Sequence, residues 1–117
     1  MEDSILTSIK KMLGIEKDYT HFDSDIIMHI NSVFTILTQL GVGPSDGFSI
    51  ENDSTKWSEF LVDRKTLQLV KSYMYFRVKL LFDSTTLPSA VITSINEQIR
   101  EFEWRLSVAA ENVDRSE

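Results

Sequence analysis

The stretch VKSYMYFRVKLLFD, residues 70–83, constrains the fold more than any other part of the chain. Placed on a helix at about 100° per residue, its apolar positions and those just before it divide into two stripes. Leu67, Val70, Met74, Val78 and Leu81 form one stripe, and Leu69, Tyr73, Phe76 and Leu80 form the other, with centres roughly 130° apart. A helix with two apolar stripes needs neighbours on two sides. Arg77 falls in the gap between the stripes, so its guanidinium must either reach past the aromatic rings to water or meet a carboxylate from another helix or another subunit.

Helices on either side are legible from spacing and punctuation. Ile5, Ile9, Met12 and Leu13 recur at helical spacing after a possible cap at Asp3 or Ser4, and Gly14 suits a left-handed C-terminal position. In residues 20–23, THFD, Thr20 fits an N-cap with Asp23 reaching back, while Asp23 or Ser24 could equally cap a helix starting one turn later. The helix that follows carries Ile26, Ile27, Ile30, Val33, Phe34, Leu37 and Leu40 on its apolar arc, with Asn31, Thr35, Thr38 and Gln39 as a wet face and Gly41 as its end.

Residues 41–56, GVGPSDGFSIENDSTK, hold three of the four glycines and one of the two prolines, so no helix runs through them. Phe48 and Ile50 alternate with polar neighbours, which fits either a short strand pair or a folded loop. A short helical piece is expected over residues 57–61 with Ser54 or Thr55 as its cap, then the central helix from Lys65 to Phe82, broken by DSTTLP. Pro88 suits the first turn of a last helix with Val91, Ile92, Ile95, Ile99, Phe102 and Leu106 on one face. The stripe is lost in SVAAENVDRSE. The pattern predicts an all-α fold, a small bundle of four to five helices around a long central helix with one irregular or two-stranded loop. It forms a single domain over residues 1–107, and residues 108–117 form a flexible tail.

Composition narrows the function. At 117 residues and 42% hydrophobic, the chain has material for one modest core. Twelve basic against 18 acidic side chains give a net charge of −6, which argues against binding driven by a phosphate backbone. Without cysteine there is no disulfide, thiolate nucleophile or cysteine zinc site, so the core must rest on packing. No stretch approaches the about 18 apolar residues of a membrane span, and the N-terminus lacks a signal-peptide pattern, so we expect a soluble chain in the cytosol where it is made.

Candidate chemistry is sparse. His21, Asp23, Asp25 and His29 have spacing that could serve a metal, and an enzyme built on them is one reading. Asp23 and Asp25 also sit where negative charge favours a helix start, and we prefer that structural role. Glu97, Glu101 and Glu103 could supply an acid and a base, yet NEQIREFE reads as a solvated helix face. No nucleophile sits with an orienting base, so we expect no catalytic residue, cofactor or bound metal. Trp104 lies roughly 170° from the Ile95, Ile99, Phe102 and Leu106 stripe. It either packs back over its helix or under the loop, or it anchors an intersubunit contact, the reading we favour. The candidate protein-interface residues are therefore Tyr73, Phe76 and Arg77 on the central helix and Trp104 and Leu106 on the last.

The order of segments ILTSIKKMLGI, DIIMHINSVFTILTQLGVGP, the loop with Trp57, LVKSYMYFRVKLLFD and INEQIREFEWRL resembles the head-tail connector proteins of tailed bacteriophages. These are small helical portal adaptors, or head-completion proteins, and the likeness covers residues 5–107. The resemblance implies a structural virion protein without enzymatic activity, made in the host cytoplasm and carried at the head-tail interface. It implies a ring of identical subunits, dodecameric on the assembled particle, docked on the portal protein and followed by a stopper or tail-completion protein. DNA would pass through the enclosed channel without sequence-specific binding, and an acidic lumen would repel its phosphates. The net charge also has a plainer use, keeping a small protein soluble before assembly. A non-viral helical adaptor or chaperone, monomeric or dimeric, is the alternative.

Overall fold

The computed structural model describes residues 4–83 and 85–115. Among these residues it contains five helices, α1 (Ile5–Met12), α2 (Asp23–Gln39), α3 (Trp57–Phe60), α4 (Arg64–Asp83) and α5 (Ser89–Arg115), and no strand beyond one isolated antiparallel bridge between Ser4 and Lys56. The all-α expectation holds, and the choice left open for residues 41–56 resolves to a folded loop.

Helix α4 is the centre of the bundle because both of its stripes find partners within the chain. It packs against α5 on one side and α2 on the other, with α1 seated against α2 and α4. Phe76 meets Phe102 of α5 with ring centres 5.8 Å apart, which turns the Leu69, Tyr73, Phe76 stripe toward α5. Val70, Met74 and Val78 are fully buried on the other stripe and face the α1 and α2 side. The double stripe is thus accounted for inside one subunit and does not by itself require assembly. Only its last member, Leu81, is left about half exposed, at 48%.

The loop of residues 41–56 closes onto α2 through an aromatic cluster that it shares with α3. Phe34 of α2 contacts Phe48, Trp57 and Phe60, and Phe48 also meets Phe60. Gly43 makes this closure possible. Its φ is +85°, and a Cβ there would lie 2.3 Å from Phe60 Cε1, so only glycine allows the backbone to pass this ring. Trp57 is buried, and its indole N–H satisfies itself on Ser8 Oγ at 2.8 Å. The Thr55 carbonyl accepts from Ile5 N at 2.9 Å, so α1 is tied to the end of the loop.

Several local readings are corrected. Ser4 caps α1 through Thr7 N, as one of the two candidates allowed, but α2 starts after Phe22 with no side-chain cap. Thr20 offers only its carbonyl, to Asp23 N at 3.1 Å, because Asp23 is drawn to Lys10. Helix α3 begins after Lys56, one residue later than Thr55, and Glu59 Oε2 accepts from Lys56 N at 2.7 Å. Asn31 belongs to no wet face: it donates to the Ile50 carbonyl at 3.0 Å and accepts from Ile50 N at 2.8 Å, fastening the loop to α2. Pro88 lies just ahead of α5 and supplies the carbonyl for Ile92 N. The segment expected as a tail is helical as far as Arg115, with Ala110 packed beside Gly41, while residues 116 and 117 lie outside the described residues.

Candidate interaction surface

Arg77 finds its carboxylate on the neighbouring helix. Its Nη2 lies 2.6 Å from Glu103 Oε2, its Nε donates to the Tyr73 hydroxyl at 2.9 Å, and that hydroxyl donates to the same Glu103 oxygen at 2.7 Å. The i, i+4 spacing of Tyr73 and Arg77 on α4 sets both groups on one face, and Glu103 comes down from α5 between them. Burial, and next the hydrogen bond to Glu103, raise the Tyr73 phenol well above its ordinary 10.0, so it stays a neutral donor. Burial pushes Glu103 upward, but the hydrogen bonds from Tyr73 and Arg77 and the guanidinium charge outweigh it, and its carboxyl ends below its ordinary 4.5.

This cluster fixes the rotation of α5, and the rotation decides what faces water. With Glu103 turned toward α4 and Leu106 fully buried, Trp104 between them points out and remains 67% exposed. Its outer neighbours Glu101 and Arg105 pair with each other at 2.7 Å, both more than half exposed. A tryptophan in this setting leaves on the order of 100 Å² of ring surface in water. Covering that area is worth about 2 to 3 kcal/mol, while the exposed ion pair beside it contributes well under 1 kcal/mol. The ring is therefore the energetic feature of this face.

The five interface candidates separate accordingly. Trp104 is presented to solvent, Phe76 is partly covered by Phe102, and Arg77 is held by Glu103. Tyr73 and Leu106 are fully buried and serve the subunit's own core, because the α4 stripe that holds Tyr73 is filled by α5. As folded they have no surface to offer a partner.

The histidine and aspartate cluster is not assembled as a metal site. Among the described residues no group of three or more His, Asp or Glu is placed to hold an ion. Asp23 is instead 2.8 Å from Lys10 Nζ, whose side chain is only 3% exposed and also donates to the Lys17 carbonyl at 3.0 Å. His21 stacks edge-on with Phe22, which in turn meets Phe82 of α4. The sequence reading missed the Lys10 to Asp23 pair, although Lys10 follows Ile9 directly on the buried side of α1.

The geometry defines an all-helical subunit in which α5 is tied to α4 by the Arg77 and Glu103 pair, Trp104 faces solvent and the loop of residues 41–56 is fastened to α2 by Asn31. The family model described as phage connector protein matches residues 5–113, which spans every helix almost to its end. The chain belongs to the phage connector protein family. No curated protein and no solved structure matches it. Its role is that of a structural phage connector, and no helix among the described residues is long and apolar enough to cross a membrane.

Proposed function

We propose that this chain is the repeating subunit of a ring that joins the capsid portal to the tail or to a stopper protein, and that it acts without catalysis. The observation that carries the reading is the family match over residues 5–113 on a fold whose most exposed aromatic ring among the described residues is Trp104, on the helix that the Arg77 and Glu103 pair ties to α4. In this reading Trp104 is the anchor of a subunit or portal contact. The ring encloses the DNA path, and a net charge of −6 disfavours adhesion of the passing phosphates.

The test is native mass spectrometry of the purified chain, alone and mixed with the portal protein of the same phage. A ring-sized homo-oligomer, or a stoichiometric ring on the portal, supports the reading. A chain that remains monomeric or dimeric and leaves the portal unbound is an adaptor of another kind, and the proposal then fails.

A further inference from the structure

A second pair of surfaces, separate from Trp104, carries opposite charges. The segment before α3 forms a knuckle at residues 51–54, all exposed, with Glu51 and Asp53 in no ion pair among the described residues. Both of its feet are fixed. Asn31 holds Ile50 by two hydrogen bonds, Ile5 N holds the Thr55 carbonyl, and inside the knuckle Asn52 Oδ1 accepts from Ser54 N at 2.9 Å. A loop held this way presents its carboxylates with little ordering left to do on contact.

Just beyond α3 the chain opens a groove lined by Leu61, Val62, Arg64, Leu67, Gln68 and Lys71. Val62 is 82% exposed, the most solvent-exposed large apolar residue described. Arg64 makes no ion pair among the described residues, and the first turn of α4 has no carboxylate of its own. Asp63 already serves that helix start, accepting from Thr66 Oγ1 at 2.6 Å. A cation at the N-terminal end of a helix is opposed by the helix dipole, so Arg64 does nothing for α4. Lys71 lies over the Trp57 ring at 5.8 Å, which leaves a basic wall beside an apolar floor.

We propose that the knuckle of residues 51–54 on one subunit seats in the α3 to α4 groove of a second copy of this chain, with Glu51 and Asp53 toward Arg64 and Val62 covered beneath them. The charges set register and direction, while covering Val62 supplies the apolar contact. The inference rests on the reading that the subunits assemble, and it adds which two surfaces meet.

The test is sedimentation velocity of the full chain, alone and on the portal, for Arg64→Glu with Gln68→Glu, for Glu51→Lys with Asp53→Lys, and for all four changes together. Each reversed pair should weaken subunit association by about tenfold or more, and the fourfold variant should recover it. Helical circular dichroism and a cooperative melt at or above the parent's melting point show that each variant folds. Independently, Asn52→Cys and Val62→Cys chains, mixed and mildly oxidised, should give a disulfide-linked pair, since the chain has no other cysteine. Reversed pairs that associate like the parent, a fourfold variant that does not recover, or no cross-linked pair overturns the contact. Assembly lost with Trp104→Ala yet untouched by the reversals leaves the ring reading standing and removes only this one. A parent chain that is monomeric alone and absent from the portal removes both.

Discussion

Arg77 Nη2 and Glu103 Oε2 lie 2.6 Å apart, and the Tyr73 hydroxyl closes the third side of the same cluster. This junction is half-buried, which places its value between that of a surface ion pair and that of a buried one. It also converts α4 and α5 from two greasy helices into one registered pair.

Arg77→Met keeps the volume of the side chain and removes the guanidinium. Glu103 and the Tyr73 hydroxyl then share one hydrogen bond where three groups met, and the expected loss is about 2 kcal/mol. Urea denaturation measures it, and a variant as stable as the parent contradicts the clamp.

The acid limb of stability should report Glu103. Its carboxyl lies below its ordinary 4.5 in the folded chain, so its contribution is whole above that pH and is lost as pH falls through the lower folded value. Melting points from pH 7 to 2 should therefore drop less steeply below about pH 4.5 in Glu103→Gln than in the parent. Equal acid limbs contradict the pairing.

Gly43 and Gly14 offer a matched contrast. Both have positive φ, +85° and +80°, but only Gly43 has Phe60 where a Cβ would stand, while Gly14 faces open space. Gly14→Ala should cost about 1 kcal/mol from backbone strain, and Gly43→Ala clearly more, about 3 kcal/mol. Denaturation midpoints that place the two variants together contradict the close packing of Phe60.

Lys10 and Asp23 form the most buried ion pair described. Asp23→Asn leaves a nearly inaccessible ammonium with the Lys17 carbonyl as its described partner, and the expected loss is about 3 kcal/mol. Lys10→Met with Asp23→Asn should recover part of it. A double-mutant cycle with no coupling contradicts this pair.

How much of this was legible depends on how local each signal is. The five helices follow from side-chain periodicity and from glycine and proline placement, which act within a few residues, so α4 and its two stripes stand where the pattern puts them. Arg77's need for a carboxylate was equally readable, but its partner 26 positions away was not, because the register of two helices is set by the packed core. Thr20 and Asp23 fit a capping box, and that local rule lost to Lys10, a lysine that burial alone makes exceptional. The end of α5 was hidden for another reason. Ala109 and Ala110 favour helix without contributing a greasy stripe, and Ala110 finds Gly41 through closeness of backbones. Trp104 was readable because its position opposite the stripe survives any choice of neighbour.

The most direct measurement of the central claim is electron microscopy of the portal ring from the same phage after mixing with the parent chain and with Trp104→Ala. Trp104 is solvent-exposed in the free subunit, so the variant should melt like the parent and isolate any effect to contact. The account predicts a second ring of density on the portal with the parent and a strongly reduced or absent ring with Trp104→Ala. No added density with the parent, or equal rings with both proteins, would contradict it.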